Sequence, residues 1–248
     1  MTDESMKVKL PIMMIHGNHD DPGGLENLSN IDIIKSTKLV NYIGKSDSLE
    51  KIDVRPVLFQ KGRTRVALYG IGYVKDERLN LAFEKRLITF HKPEGEWFNI
   101  LILHQTKERG TALGPNKRAF IKERILPEFF HLVLWGHEHE CITSPQKCGQ
   151  TGAYILYMGS TVVTSLIDSE AKPKHCFIIE VLDKKFRISP IPLKTARPLL
   201  YGQVELSLCG IRDDSEIEIF IEEKINSMLS RLDNNRLKVE YTGYSVRD

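Results

Sequence analysis

Three apolar runs in this 248-residue chain end in histidine, and that shared ending constrains the fold more than any other feature. Residues 10–15 run straight into His-Gly-Asn-His-Asp at positions 16–20. Residues 100–103 run into His104, and residues 132–135 pass through Gly136 to His137, Glu138 and His139. Continuous apolar runs suit strands of a parallel sheet covered on both faces. Strands that all finish in nitrogen and oxygen donors put a site along the carboxyl edge of that sheet. The first run is therefore expected to be a buried strand, and the fold an α/β layered domain with its chemistry at the strand ends.

The remaining pattern is read around that frame. Turn chemistry at Asp21, Pro22, Gly23 and Gly24 precedes a helix expected over 25–36. Its narrow stripe of Leu28, Ile31 and Ile34 either packs on the sheet or meets a partner, core packing being the first expectation. Strands are expected over 49–54 and 57–60, the second turning at Lys61-Gly62 into a hairpin strand over 63–69. A further helix opens with Asp76 as N-cap and places Leu79 and Phe83 on one face. Between His104 and the third run, Lys107, Arg109, Lys117, Arg118, Lys122 and Arg124 outnumber Glu108 and Glu123. That stretch reads as a solvated face, with contact to a phosphate backbone as the sharper alternative. Strands follow at 154–157, 175–182 and 186–191. Pro190, Pro192 and Pro198 then mark a boundary that divides 1–192 from 193–248. In the second part, Ser215 and Glu218 form a capping box. They open an amphipathic helix with Ile217, Ile221, Ile225, Met228, Leu229 and Leu232 on one face, and a short strand is expected at 237–241.

Composition excludes more than it assigns. Hydrophobic residues at 41% fill a sizeable core, and a formal net charge of +2 gives no polybasic field, so any nucleic-acid contact must be local. No apolar run approaches the roughly 18 residues that span a bilayer, and no signal-peptide pattern opens the chain. Cys141, Cys148, Cys176 and Cys209 lack C-x-x-C spacing, which fits reduced, partly buried thiols of a cytosolic or nuclear protein. Gly159-Ser160 has no G-x-S-x-G context, and no nucleotide-binding glycine loop occurs.

The histidines carry the chemistry. His137 and His139 are separated by one residue, so both point to one side of an extended segment. Imidazole suits several transition metals, while the Asn18 carbonyl and nearby carboxylates shift the balance towards harder ions such as manganese. Several histidines with oxygen donors fit a two-metal hydrolytic centre, in which paired cations clamp a phosphate. His19 is free to face the scissile phosphate and protonate the leaving oxygen. Asp20 and Glu138 are placed to orient imidazoles by accepting their free N–H groups. His91, His131 and His175 lack this setting and are read as structural, whereas His16 stays open between the two roles.

Gly-Asn-His-Asp at 17–20, the isolated His104 and Gly-His-Glu-His at 136–139 resemble the calcineurin-like metallophosphoesterases. The flanks are narrower. Ile-His-Gly-Asn-His-Asp-Asp-Pro at 15–22, Trp-Gly-His-Glu-His-Glu-Cys at 135–141 and Gly-Ser-Thr-Val-Val-Thr-Ser-Leu at 159–166 look like the meiotic recombination 11 family of eukaryotic double-strand-break repair nucleases. The similarity runs from about residue 10 to the end of the chain. It implies a nuclear, manganese-dependent 3′-to-5′ exonuclease and endonuclease with two Mn2+ ions, built on a layered α/β sandwich followed by the start of a small α+β capping domain. Asn18, His104 and His137 would bind one metal, His139 the other, and His19 would assist departure of the 3′ oxygen. The expected helix over 25–36 matches the family's dimer-forming helix. Residues from about 193 would begin the DNA-binding capping domain. Implied partners are DNA, a second copy of the chain, a zinc-hook ATPase and nibrin, with no membrane.

The resemblance also has departures. The family's Asp-x-His motif and its metal-bridging aspartate both lie upstream of Gly-Asn-His-Asp, and here nine residues precede Leu10, with Asp3 in no such context. The expectation is a chain incomplete at both ends and lacking its first strands, with weak or no activity of its own. A non-catalytic dimerisation or DNA-binding isoform is the alternative of a different class. A metallophosphoesterase acting on a non-DNA phosphoester is a third reading.

Overall fold

The computed structural model describes residues 10–46, 48, 50–108, 119–204 and 214–230, the side chains of Asp214 and Ser215 excepted. Its elements are β1 (Met13–Met14), α1 (Asn30–Ser36), β2 (Asn41–Tyr42), β3 (Ile52–Val54), β4 (Val57–Lys61) and β5 (Thr64–Ile71). Then come α2 (Asp76–Glu84), β6 (Ile88–Phe90), β7 (Phe98–His104), β8 (Leu132–Gly136), β9 (Gln146–Lys147) and β10 (Tyr154–Tyr157). The hairpin β11 (His175–Leu182) and β12 (Lys185–Pro192) and the helix α3 (Asp214–Leu229) follow, with short 3-10 turns at Glu123–Ile125 and Asp168–Ala171.

A six-stranded sheet in the order β4-β5-β7-β8-β10-β9 organises the molecule. Its four inner strands are parallel: Ile71 lies opposite Leu103, Leu103 opposite Trp135, and Trp135 opposite Tyr157. The edge strands β4 and β9 run antiparallel to their neighbours. Because side chains alternate across a strand, the sheet has two apolar faces. One carries Tyr69, Leu101, Leu103, Val133, Trp135, Ile155 and Tyr157, and it packs against Leu79 and Ala82 of α2 and against Ile121, Leu126 and Phe130. The other carries Phe98, Ile100, Leu132 and Leu156, covered by Phe177, Ile179 and Val181 of β11 and by Phe186 and Ile188 of β12. The result is the expected α/β sandwich. Burying a side chain such as Leu101 or Leu132, both 0% exposed, contributes about 1.5–3 kcal/mol, so these inner strands form the most secure part of the frame.

Sequence expectations hold best where strands are fully covered. The boundaries of β10 and β11 coincide with the expected ones, and β4 and β5 pair as the expected hairpin. Several expectations are corrected. Residues 10–15 do not form a buried strand: β1 is two residues long and pairs in parallel with β2 outside the main sheet. Leu10 and Ile12 stand exposed. The helix expected over 25–36 begins only at Asn30, because residues 23–28 close a turn through a Gly23–Leu28 bridge. Ser29 then caps it: its hydroxyl accepts from the Ile31 amide, and Asp32 accepts from the Ser29 amide. Asp76 is the first residue of α2 rather than its cap. Its carboxylate instead accepts from the Gln105 side chain at 2.8 Å and the Thr106 amide at 3.3 Å.

The crossover from β7 to β8 carries the basic stretch. Of it, Lys107 lies over the Tyr157 ring and Lys122 is 3.9 Å from Glu108, while Arg109, Lys117 and Arg118 lie outside the described residues. The strand expected at 237–241 also lies outside them, and the expected Ser215–Glu218 capping box is corrected: α3 begins at Asp214, so Ser215 is its second residue and not its cap. The helix α3 is present where its periodicity puts it, with Ile221, Ile225 and Leu229 exposed.

Candidate metal centre

The parallel strands deliver their last residues to one edge. β5 leads to Tyr73, β7 ends in His104, and β8 leads to His137 and His139. From β1 the chain arrives at Asn18. Its Oδ1 lies 3.1 Å from His104 Nε2 and 3.2 Å from His137 Nδ1. The two imidazoles meet edge to face, with centroids 5.2 Å apart, and the Tyr73 ring stacks on His137 at 6.2 Å. His104 fits a slot cut by glycine. A Cβ on Gly17 would sit 2.8 Å from its Cε1 and Nε2, and one on Gly136 would sit 3.0 Å from its Nδ1.

His137 adopts φ 77°, a left-handed conformation that costs on the order of 1–3 kcal/mol for a non-glycine residue and tends to persist where function requires it. The strain turns the His137 ring back towards Asn18 rather than along the strand. Burial first, and then the neighbouring His137, push His104 down to about 4. His104 is therefore a neutral donor at physiological pH, as metal ligation requires.

These residues fit a cation. Two donors about 2.1 Å from one ion and at right angles to each other are about 3 Å apart, which matches both spacings to Asn18 Oδ1. Among the described residues no three His, Cys, Asp or Glu side chains form a cage of their own, because the third donor here is an amide. Being formally neutral, the triad would leave a cation's charge available to an anionic substrate.

The other expected residues take separate positions. His19 is exposed and follows Asn18 directly in the chain. His139 lies two residues beyond His137, on the segment leaving β8. Its Nδ1 lies 2.7 Å from Glu170 Oε1 and 2.7 Å from Thr164 Oγ1. Buried Glu138 accepts the Lys107 amide at 2.9 Å. Asp20 accepts the Ser29 hydroxyl through its backbone carbonyl. His16 resolves as structural: it is 3% exposed, its Nε2–H donates to Tyr73 O at 3.0 Å, and its Nδ1 accepts from the Tyr42 hydroxyl at 2.7 Å. Burial lowers its pKa, consistent with a neutral ring that holds the Tyr73 segment in place. His91, His131 and His175 are occupied with Asp53, the Asn99 amide and Pro173 O respectively, as expected of structural residues. Sequence reasoning missed Tyr73, Thr164 and Glu170. Tyr73 follows a strand with no donor run to mark it. Glu170 is 31 residues from its histidine, and only the distinctive 159–166 segment hinted that this loop mattered.

A family model described as calcineurin-like phosphoesterase matches residues 2–141, more than half of the sequence, and the chain belongs to that family. Within it the chain is similar to proteins named double-strand break repair protein MRE11. Identity is 38% to the one from Oryza sativa subsp. indica, over 98% of this chain and 38% of the relative. It is 41% to the one from Arabidopsis thaliana, over 93% and 32%, and 38% to the one from Homo sapiens, over 97% and 37%. The chain thus spans less than two fifths of the length of these relatives. Among the described residues no helix is long and apolar enough to cross a membrane, and Cys141, Cys148 and Cys176 are free thiols.

Proposed function

We propose that this chain carries the nuclease module of a manganese-dependent, nuclear double-strand-break repair protein that cleaves DNA as a 3′-to-5′ exonuclease and an endonuclease. The observation that carries the reading is the convergence of Asn18, His104 and His137 at the carboxyl edge of a calcineurin-like sheet, in a chain similar to repair proteins over nearly its whole length. Asn18, His104 and His137 would hold one Mn2+ and His139 a second. A divalent cation there supplies positive charge that offsets the charge building on the phosphate oxygens and makes water more acidic. Exposed His19 would donate its proton to the 3′ oxygen as the phosphorus–oxygen bond breaks. Tyr73 would keep the His137 ring from rotating away from the phosphate.

The partner proposals rest on surfaces. Leu25, Leu28, Ile33 and Ile34 are exposed around the cap and body of α1, which supports a homodimer contact through that segment. Residues from 193 on would belong to a DNA-binding capping domain, in which Ile221, Ile225 and Leu229 of α3 are exposed among the described residues. A zinc-hook ATPase and nibrin are the further partners this reading implies.

In the protein as cells make it, His19→Ala is expected to slow Mn2+-dependent release of nucleotides from a duplex 3′ end by about 10²–10⁴ without loss of duplex binding. Cleavage by His19→Ala at the wild-type rate refutes the assignment. For a polypeptide limited to residues 1–248 we infer weak or no cleavage, since among the described residues His139 is the single donor assigned to the second cation. Mn2+-dependent duplex degradation by that polypeptide, lost on His19→Ala, overturns this.

A further inference from the structure

The loop over residues 159–171 holds a buried charged cluster that the triad does not use. Gly159 takes φ +71°, and a Cβ there would lie 2.7–2.9 Å from the Cys141 N, Cα and Cβ atoms. The loop therefore folds tightly back on the segment leaving β8. The Ser160 amide donates to His139 O at 3.3 Å, and Thr164 and Glu170 arrive beside the His139 ring. Glu170 is 1% exposed and Lys174 5%. Glu170 Oε2 accepts from the Lys174 ammonium and from the Ser160 hydroxyl at 2.9 Å. Glu170 Oε1 accepts from the Thr164 hydroxyl, the Thr164 amide at 3.2 Å and the His139 ring at 2.7 Å.

A buried ion pair is weak evidence for stability, since an apolar pair of similar volume often serves as well. What this pair achieves is directional. A carboxylate held by an ammonium is acceptor-only, so the nitrogen facing it, His139 Nδ1, must carry the ring proton. The Thr164 hydroxyl donates to Glu170, so towards Nδ1 it too can only accept. Neutral imidazole in water favours the opposite tautomer, with the proton on Nε2. We propose that Glu170 is the positioning residue of His139: it holds Nδ1–H so that the Nε2 lone pair is free for a cation, with Thr164 and Lys174 holding Glu170 in turn. This use of a carboxylate behind a ligand histidine is a general device for fixing ring orientation, and it rests here on the reading of His139 as a metal ligand.

The test uses the full 248-residue chain, 15N-labelled and metal-free, at a pH where imidazole is neutral. Long-range proton–nitrogen correlation is expected to show His139 with its proton on Nδ1. In the double variant Glu170→Leu/Lys174→Met, which strands no buried ammonium, the proton is expected to move to Nε2 while amide dispersion stays native. A wild-type His139 protonated on Nε2 overturns the proposal whether or not the variant folds, and so does a folded double variant that keeps Nδ1–H. Zn2+, a diamagnetic probe, is then titrated into the protein as cells make it, because in the 248-residue chain His139 is the single donor assigned to the second cation, and the His139 Nε2 shift is followed. The variant is expected to need about ten-fold or more Zn2+ than wild type. Equal demand in the two proteins refutes Glu170's role alone. Absence of any Nε2 coordination shift in wild type, with the tautomer as expected, refutes His139 as a ligand and with it the purpose assigned to Glu170.

Discussion

Replacing Gly17 by alanine changes no donor, yet it is expected to dismantle the triad. The added Cβ would meet His104 Cε1 and Nε2 at 2.8 Å and Nδ1 at 3.3 Å. Carbon contacts relax to about 3.5–4.0 Å, so the ring or the loop must yield by roughly 0.7–1.2 Å. The ring has little room behind it, with Gly136 on one flank and the His137 ring 5.2 Å away centroid to centroid. Movement of the loop instead would carry Asn18 away, since Asn18 is the next residue. Either way the 3.1 Å spacing of Asn18 Oδ1 and His104 Nε2 is lost, whereas ligand distances tolerate only about 0.2 Å. Gly17 lies outside the left-handed region, so the backbone itself accepts alanine without strain. The expected result is a loss of about 10- to 100-fold in Mn2+ affinity, or about 1.4–2.7 kcal/mol. Calorimetric Mn2+ titration would measure it, with His104→Ala as the null and Gly149→Ala, whose Cβ meets nothing within 4 Å, as the control. A folded Gly17→Ala protein that binds Mn2+ like wild type would refute the steric argument and weaken the triad itself.

Other consequences are equally direct. Trp135 is 0% exposed and donates from Nε1 to Gln105 O at 2.7 Å; Trp135→Phe should cost about 1–3 kcal/mol in urea unfolding by leaving that carbonyl unpaired, and a change below measurement error would contradict it. Burial pushes Glu170 up, but Lys174, Thr164, Ser160 and His139 together hold it down at about 2, against 4.5 when unperturbed. The folded pKa is the lower one, so Glu170 contributes stability above about pH 4.5 that is lost as pH falls towards about 2, on the order of a few kcal/mol. Glu170→Gln should be less stable at neutral pH and show a flatter acid limb across that window; an unchanged slope would count against the assignment. If α1 forms a dimer contact, Leu25→Glu with Ile33→Glu should convert a dimer to a monomer in light scattering. A dimer that survives both charges places the contact elsewhere.

The inner sheet was readable because β7, β8 and β10 each carry a continuous apolar run, as strands covered on both faces do. The same rule misled at residues 10–15. Their apolar run is as continuous as that of β7, yet Leu10 and Ile12 are exposed, because among the described residues the run pairs only with β2. Hydropathy reports what a strand would bury, and the neighbours it finds decide what it does bury. The helix start was misplaced for a local reason. Leu25 and Leu28 fit the helical period, but the Gly23–Leu28 bridge closes a turn, and the cap signature was Ser29 with Asp32 rather than the more familiar glutamate. Asp76 resembled a cap by residue type, while its carboxylate was committed to Gln105 and Thr106 across 29 or more residues. Metal-ligand candidates were legible because they sit where strands end. Glu170 and Thr164 were not, because an orienting group has no spacing rule: it needs only to arrive.

The register of the sheet explains why the donors meet at all. His104 lies opposite Gly136 across the β7–β8 ladder, so the two strands run out at the same level. A side chain at 136 would occupy the space of the His104 ring, its Cβ 3.0 Å from Nδ1; glycine leaves the ring free to lean across towards Asn18. The next residue, His137, cannot continue as a strand without pointing its ring away. Its left-handed φ bends the chain so that Nδ1 also turns to Asn18, and Tyr73, from the end of β5, closes over the ring. His139 then follows on the outgoing segment, where Glu170 comes to its Nδ1. Metal affinity on this account should depend on Gly17 and Gly136, which donate nothing, as well as on the donors they frame.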